Sequence, residues 1–80
     1  MDTRQAVINR ILQLCGKQDL TIKRLANLSA VPLPSVRNLL YRKGQNPKIT
    51  TLKKLCDGFG ITLGEFFSTE EFDSLEQEIR

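Results

Sequence analysis

The run Leu25-Ala26-Asn27-Leu28-Ser29-Ala30-Val31-Pro32-Leu33-Pro34-Ser35-Val36-Arg37-Asn38-Leu39 decides the architecture of this chain. Ile22, Leu25 and Ala26 form an apolar stripe with helical spacing, and that period fails near Ser29-Ala30. A new helix starts in Pro32-Leu33-Pro34-Ser35, because proline is tolerated in a first turn, where its missing N–H would have no partner. Val36, Leu39 and Leu40 supply its inward face. The few residues between the two helices permit only a sharp corner, which sets their axes steeply across one another. Ala26 is small where the second helix crosses, and Leu25, Val31, Val36 and Leu39 fill the wedge.

Outward from this corner the helical period persists. Upstream, Val7, Ile8, Ile11, Leu12, Leu14 and Cys15 mark a helix over about 4–16 with one buried face. Asp2 with Gln5 suits a capping box at its start, and Gly16 with Lys17-Gln18-Asp19 is expected to stop it. Thr21 is the N-cap expected for the second helix. Downstream, the turn-rich, basic loop Tyr41-Arg42-Lys43-Gly44-Gln45-Asn46-Pro47 leads to a fourth helix from Thr50, with Ile49, Leu52, Leu55, Cys56 and Phe59 in register and Gly58 and Gly60 ending it. Thr62 caps a short fifth helix carrying Leu63, Phe66 and Phe67. Ser68-Thr69-Glu70-Glu71 opens a last one, with acids where the helix dipole favours them and Phe72, Leu75 and Ile79 on one side. No useful stretch alternates with period two, so the fold class is all-α.

Eighty residues make one compact unit, since a chain this short buries only about 60% of its unfolded surface. With 40% hydrophobic and 26% charged residues it falls in the globular range, outside the disordered and membrane classes. Met1-Asp2-Thr3-Arg4 begins no signal peptide, so a cytoplasmic location is expected. Cys15 and Cys56 sit at apolar positions and read as reduced core thiols. The chain has no histidine, which leaves no zinc ligand set and no common general base, and no phosphate-binding glycine loop appears. Neither an enzyme, a metal site, a cofactor nor a small-molecule substrate is expected. The net charge of +3 hides a polarity. Residues 20–56 hold eight bases (Lys23, Arg24, Arg37, Arg42, Lys43, Lys48, Lys53, Lys54) and no acid, whereas 65–80 hold six acids and one base. Such segregation fits a polyanion-binding face with a repelled far end.

The corner, the basic loop closed by Asn46-Pro47, and the run Ile-Thr-Thr-Leu-Lys-Lys-Leu-Cys-Asp-Gly-Phe-Gly-Ile-Thr-Leu-Gly-Glu-Phe-Phe at 49–67 resemble the Cro-type (lambda repressor-like, XRE-family) helix-turn-helix DNA-binding proteins. The resemblance covers roughly 4–67. It implies a five-helix DNA-binding domain over 1–67, and the residues beyond it read as an acidic helical extension over 68–80 with a short sixth helix. It further implies that the third helix, about 32–41, enters the major groove of double-stranded DNA while the second lies across the backbone. Carried over by position, Leu33, Pro34, Ser35, Arg37 and Asn38 would face bases, with Asn38 suited to a paired hydrogen bond to adenine. Lys23, Arg42, Lys43, Lys48 and Thr50, and the backbone around Gly44, Gln45 and Asn46, would hold phosphates.

The chain departs from the family pattern in three places. Ile22 replaces a glutamine that often touches phosphate, Ala30 replaces the usual corner glycine, and Leu33-Pro34 replaces polar readers. A left-handed Ala30 would cost roughly 1 kcal/mol more than glycine. Leu33 also suits the core edge, Asn38 a solvated helix surface, and Tyr41 a half-buried packing site. The function implied is a sequence-specific transcriptional regulator acting as a repressor. The alternative is a degenerate helix-turn-helix that binds a protein, such as a toxin or another regulator. Phe66, Phe67, Phe72, Leu75 and Ile79 give the C-terminal end more apolar area than one short helix needs, which favours a homodimer over folding back on the core.

Overall fold

The computed structural model describes residues 2–42 and 46–79, and among these the chain forms six α-helices and no strand. They are α1 (Thr3–Gln18), α2 (Ile22–Ser29), α3 (Leu33–Tyr41), α4 (Ile49–Phe59), α5 (Leu63–Phe67) and α6 (Glu70–Asp73). α2 packs against both α3 and α4, α5 follows on α4, and α6 returns to α1. Ile11, Leu25, Val36, Leu55, Cys56 and Phe66 are the most deeply buried side chains, so the first five helices share one core.

Three helices end through the same local device. The backbone turns left-handed at Asp19 (φ 56°), Ala30 (φ 55°) and Gly60 (φ 76°). In each case the next N–H reaches a carbonyl five residues back: Leu20 to Cys15 at 2.9 Å, Val31 to Ala26 at 3.1 Å, and Ile61 to Cys56 at 3.0 Å. This is the Schellman arrangement, in which an apolar residue after the left-handed one packs back on its own helix. Leu20, Val31 and Ile61 all pack against the core. The following residue then starts the next helix: Thr21 accepts from the Arg24 amide at 3.1 Å, Thr62 accepts from the Glu65 amide at 3.0 Å, and Pro32 precedes α3. Glu65 returns a bond to the Thr62 amide, which completes a capping box.

These ends revise several sequence expectations. Gly16 does not stop α1, which runs through it to Gln18; the stop is the left-handed Asp19. Asp2 accepts from the Gln5 amide at 2.7 Å, but the Gln5 side chain turns to Asn9, so the box there is half-formed. Gly58 lies inside α4 and has a packing role: a Cβ there would lie 2.1 Å from Ser29 Oγ and 3.2 Å from the Ser29 backbone nitrogen. Tyr41 is 65% exposed instead of half-buried. The last helix stops at Asp73, which leaves Leu75 and Ile79 beyond its end, and Ile79 is 85% exposed.

The C-terminal segment lies back on the core. Phe72 stacks edge-on to Phe67 at 4.9 Å between ring centroids and lies 6.0 Å from Phe66. Thr3 donates to Glu78 at 2.7 Å and Asn9 to Glu71 at 3.2 Å, which ties this segment to α1. α1 also caps its neighbours: Arg10 donates to the Phe66 and Glu65 carbonyls at 2.8 and 2.9 Å, and Gln18 to the Phe59 carbonyl at 2.9 Å. Cys15 and Cys56 are free thiols inside the core, and burial pushes both up from the ordinary thiol range.

Candidate nucleic-acid interface

The inward side of α3 is Val36, Leu39 and Leu40, with Leu33 half-buried against the core edge. Its outward side is Pro34, Ser35, Arg37, Asn38 and Tyr41, continued by the cap residue Arg42, and all of these are exposed. Positions 34, 35, 37, 38, 41 and 42 follow the helical repeat, so they form one bare face. Leu33 turns partly inward, which leaves Pro34 as the exposed apolar group in the first turn of α3. The left-handed corner at Ala30 makes this presentation possible, since it ends α2 and redirects the chain within two residues.

Ser35 and Asn38 share a groove of about 290 Å³ with Asn46, Pro47, Lys48 and Thr51. Two residues expected at bases thus lie beside two expected at phosphates. Thr51, which sequence reasoning passed over in favour of its exposed neighbour Thr50, belongs to this groove. Lys48 is the N-cap of α4 and makes no side-chain cap hydrogen bond. The first amides of α4 thus receive no bond from their N-cap side chain, at the helix end whose positive dipole favours an anion.

Lys23 and Arg24 on α2, Arg37 and Arg42 on α3, and Lys48 and Lys54 around α4 are exposed. Lys53 is ion-paired with Asp57, one turn on, just beyond the acid-free stretch. Lys43, Gly44 and Gln45, expected at phosphates, lie outside the described residues. A further cation escaped sequence reasoning. Arg4, on α1, donates to the Leu39 carbonyl at 3.3 Å and to that of Arg42 at 2.5 Å. Its partners lie 35 and 38 residues away, so no local pattern announces them.

Of the apolar residues expected at a dimer contact, Phe66 is fully buried in the chain's own core and has no surface to offer a second copy. Phe67, Phe72 and Leu75 are half-buried and Ile79 is exposed. No cluster of potential metal ligands occurs among the described residues, and no helix there is long and apolar enough to cross a membrane.

Two short helices joined at a left-handed corner, the second bare along one face, define a helix-turn-helix unit within a five-helix core. The chain belongs to the Cro/C1-type HTH DNA-binding domain family, which matches it over residues 10–71. Its fold is similar to that in the crystal structure of the prophage Lp1 protein 11, with a TM-score of 0.81 and 29% sequence identity, over 94% of this chain and 100% of that one. No curated protein matches the chain significantly in sequence.

Proposed function

We propose that this protein is a non-catalytic, sequence-specific transcriptional regulator that binds double-stranded DNA in the cytoplasm, with α3 in the major groove and α2 across the backbone. The observation that carries the reading is the bare face of α3, bordered by the open N-terminus of α4 and by cations on α2, α3 and α4. Asn38 and Arg37 read base edges, Ser35 adds a shorter polar contact, and Pro34 with the exposed edge of Leu33 meets a thymine methyl. A paired Asn38 contact with adenine is worth about 1–3 kcal/mol of discrimination. Lys23, Arg42, Lys43, Lys48, Thr50 and the backbone at 44–46 hold phosphates, which fix register without reading sequence. Residues 1–67 form the DNA-binding domain, and the acidic extension at 68–80 stays away from DNA. Occupancy of an operator suffices for repression, whereas activation needs a further contact, so repression is the simpler outcome.

A homodimer completes this reading. Two copies related by a two-fold axis would place two α3 helices about 34 Å apart, on successive major grooves. With the C-terminal segment folded back on its own core, the parts of Phe67, Phe72 and Leu75 that stay exposed would join Ile79 in the apolar contact, and a mass that stays monomeric at every concentration in light scattering would rule it out.

The test is selection of bound duplexes from a random pool, followed by titration of the winner and a scrambled duplex at several salt concentrations. About six phosphate contacts should give a slope of log K against log salt near −5 for the selected duplex. A flat salt dependence with no selected sequence would overturn DNA binding and favour a module that binds protein.

A further inference from the structure

The last turn of α3 contains no basic residue, although its final carbonyl groups lie beyond the reach of intrahelical N–H donors and the helix dipole favours a cation there. Another helix supplies that cation. Arg4 places one terminal nitrogen, Nη2, between one of these acceptors, the Leu39 carbonyl oxygen, and the carbonyl oxygen of Arg42, just past the helix end. Arg42 is itself the cap residue, with its N–H bonded to the Asn38 carbonyl at 3.0 Å. Asn38, Leu39 and Arg42 are therefore joined through backbone bonds to one guanidinium anchored in the first turn of α1.

We propose that Arg4 is a positioning residue for DNA recognition, which fixes the C-terminal end of α3 and the direction in which Arg42 leaves it. This inference rests on the reading of α3 as the recognition helix. α3 has nine residues, and Leu39 and Leu40 already seat its last turn in the core, but through side chains alone. Two charge-assisted bonds to backbone carbonyls fix that end, because carbonyl positions move with the helix axis. Arg4 also lines a groove of about 790 Å³ with Asn46 and Pro47, so a direct phosphate contact is the rival role.

Arg4→Met keeps the aliphatic stem and removes the donors. For a positioning residue, affinity for the selected duplex should fall about tenfold, comparable to losing one well-made base contact. Affinity for a scrambled duplex should stay within about twofold, and the salt slope of the selected complex should not change, because no phosphate contact is lost. A phosphate ligand would instead weaken both duplexes alike and lower the slope by about 1, which overturns the proposal. Unchanged selectivity in a folded Arg4→Met, whatever its melting temperature, overturns it too. If Arg4→Met does not fold, Arg4→Gln, uncharged and two bonds shorter, goes through the same titrations and is judged in the same way. A parent protein without selectivity removes the recognition reading and the Arg4 proposal together; a selective parent with an equally selective variant removes only the latter.

Discussion

Ala30 holds the corner in a conformation (φ 55°, ψ 36°) that brings any Cβ close to the following carbonyl oxygen. Its side chain is exposed, so the methyl contributes little packing to offset that strain. Ala30→Gly should therefore stabilise the protein by up to about 1 kcal/mol in urea unfolding, because relief of the left-handed strain exceeds the added freedom of glycine in the unfolded chain. Gly60→Ala, at φ 76°, should destabilise it by a similar amount, and a loss of stability in Ala30→Gly would show that the corner depends on its methyl group. Single residues also separate the two kinds of DNA contact. Asn38→Ala should narrow the gap between selected and scrambled duplexes, whereas Arg42→Ala should weaken both and reduce the salt slope by about 1. Equal losses for both duplexes in Asn38→Ala would remove it from the readers.

The contact between α2 and α4 is the most extensive between helices, and one hydroxyl sits in it. Ser29 Oγ is buried with no hydrogen-bond partner among the described residues, and Gly58 leaves the space it occupies. An unpartnered buried hydroxyl costs about 1–3 kcal/mol, so Ser29→Ala should leave stability unchanged or raise it. Gly58→Ala should lower it by about 1–3 kcal/mol through overpacking, and the double variant should recover part of that loss. Additive effects would mean that the two positions do not press on each other. Helix existence and faces were legible from the period of apolar residues, whereas helix ends were legible only through the two residues after each stop. Gly16 and Gly58 resemble stops and are internal, while Asp19-Leu20-Thr21, Ala30-Val31-Pro32 and Gly60-Ile61-Thr62 share a left-handed residue, an apolar residue and a helix starter. Read as a repeated triplet, these would have located three helix ends that single-residue signals misplaced or left approximate.

At the scale of the molecule, the bare face of α3 was readable because one short period defines it, but the bonds that hold the helices together were not. Arg4, Arg10 and Gln18 each reach carbonyls 35 to 56 residues away, and a basic or amide side chain on an exposed helix turn looks like solvated surface until its partner is placed. Whether α1 and α4 open as one unit can be measured at the two thiols. Cys15, on α1, is 6% exposed and Cys56, on α4, is fully buried, and both lie in the same core. The thiolate is the nucleophile that attacks a thiol reagent, and burial holds both groups protonated and inaccessible, so labelling requires opening. Both should label at one slow rate near pH 8 and accelerate together with urea; faster labelling of Cys15 alone would mean that α1 detaches while α4 holds. The same burial sets a pH dependence. The native thiols titrate above the unfolded ones, which ionise near about pH 8.5. Below that value neither state loses a thiol proton and this contribution to stability is complete. As pH rises past it, the unfolded chain releases protons first, so the urea midpoint should decline toward about pH 9.5 and continue to fall until the native thiols ionise. In Cys15→Ala/Cys56→Ala, less stable at neutral pH, that alkaline decline should flatten; an undiminished decline would assign it to other groups.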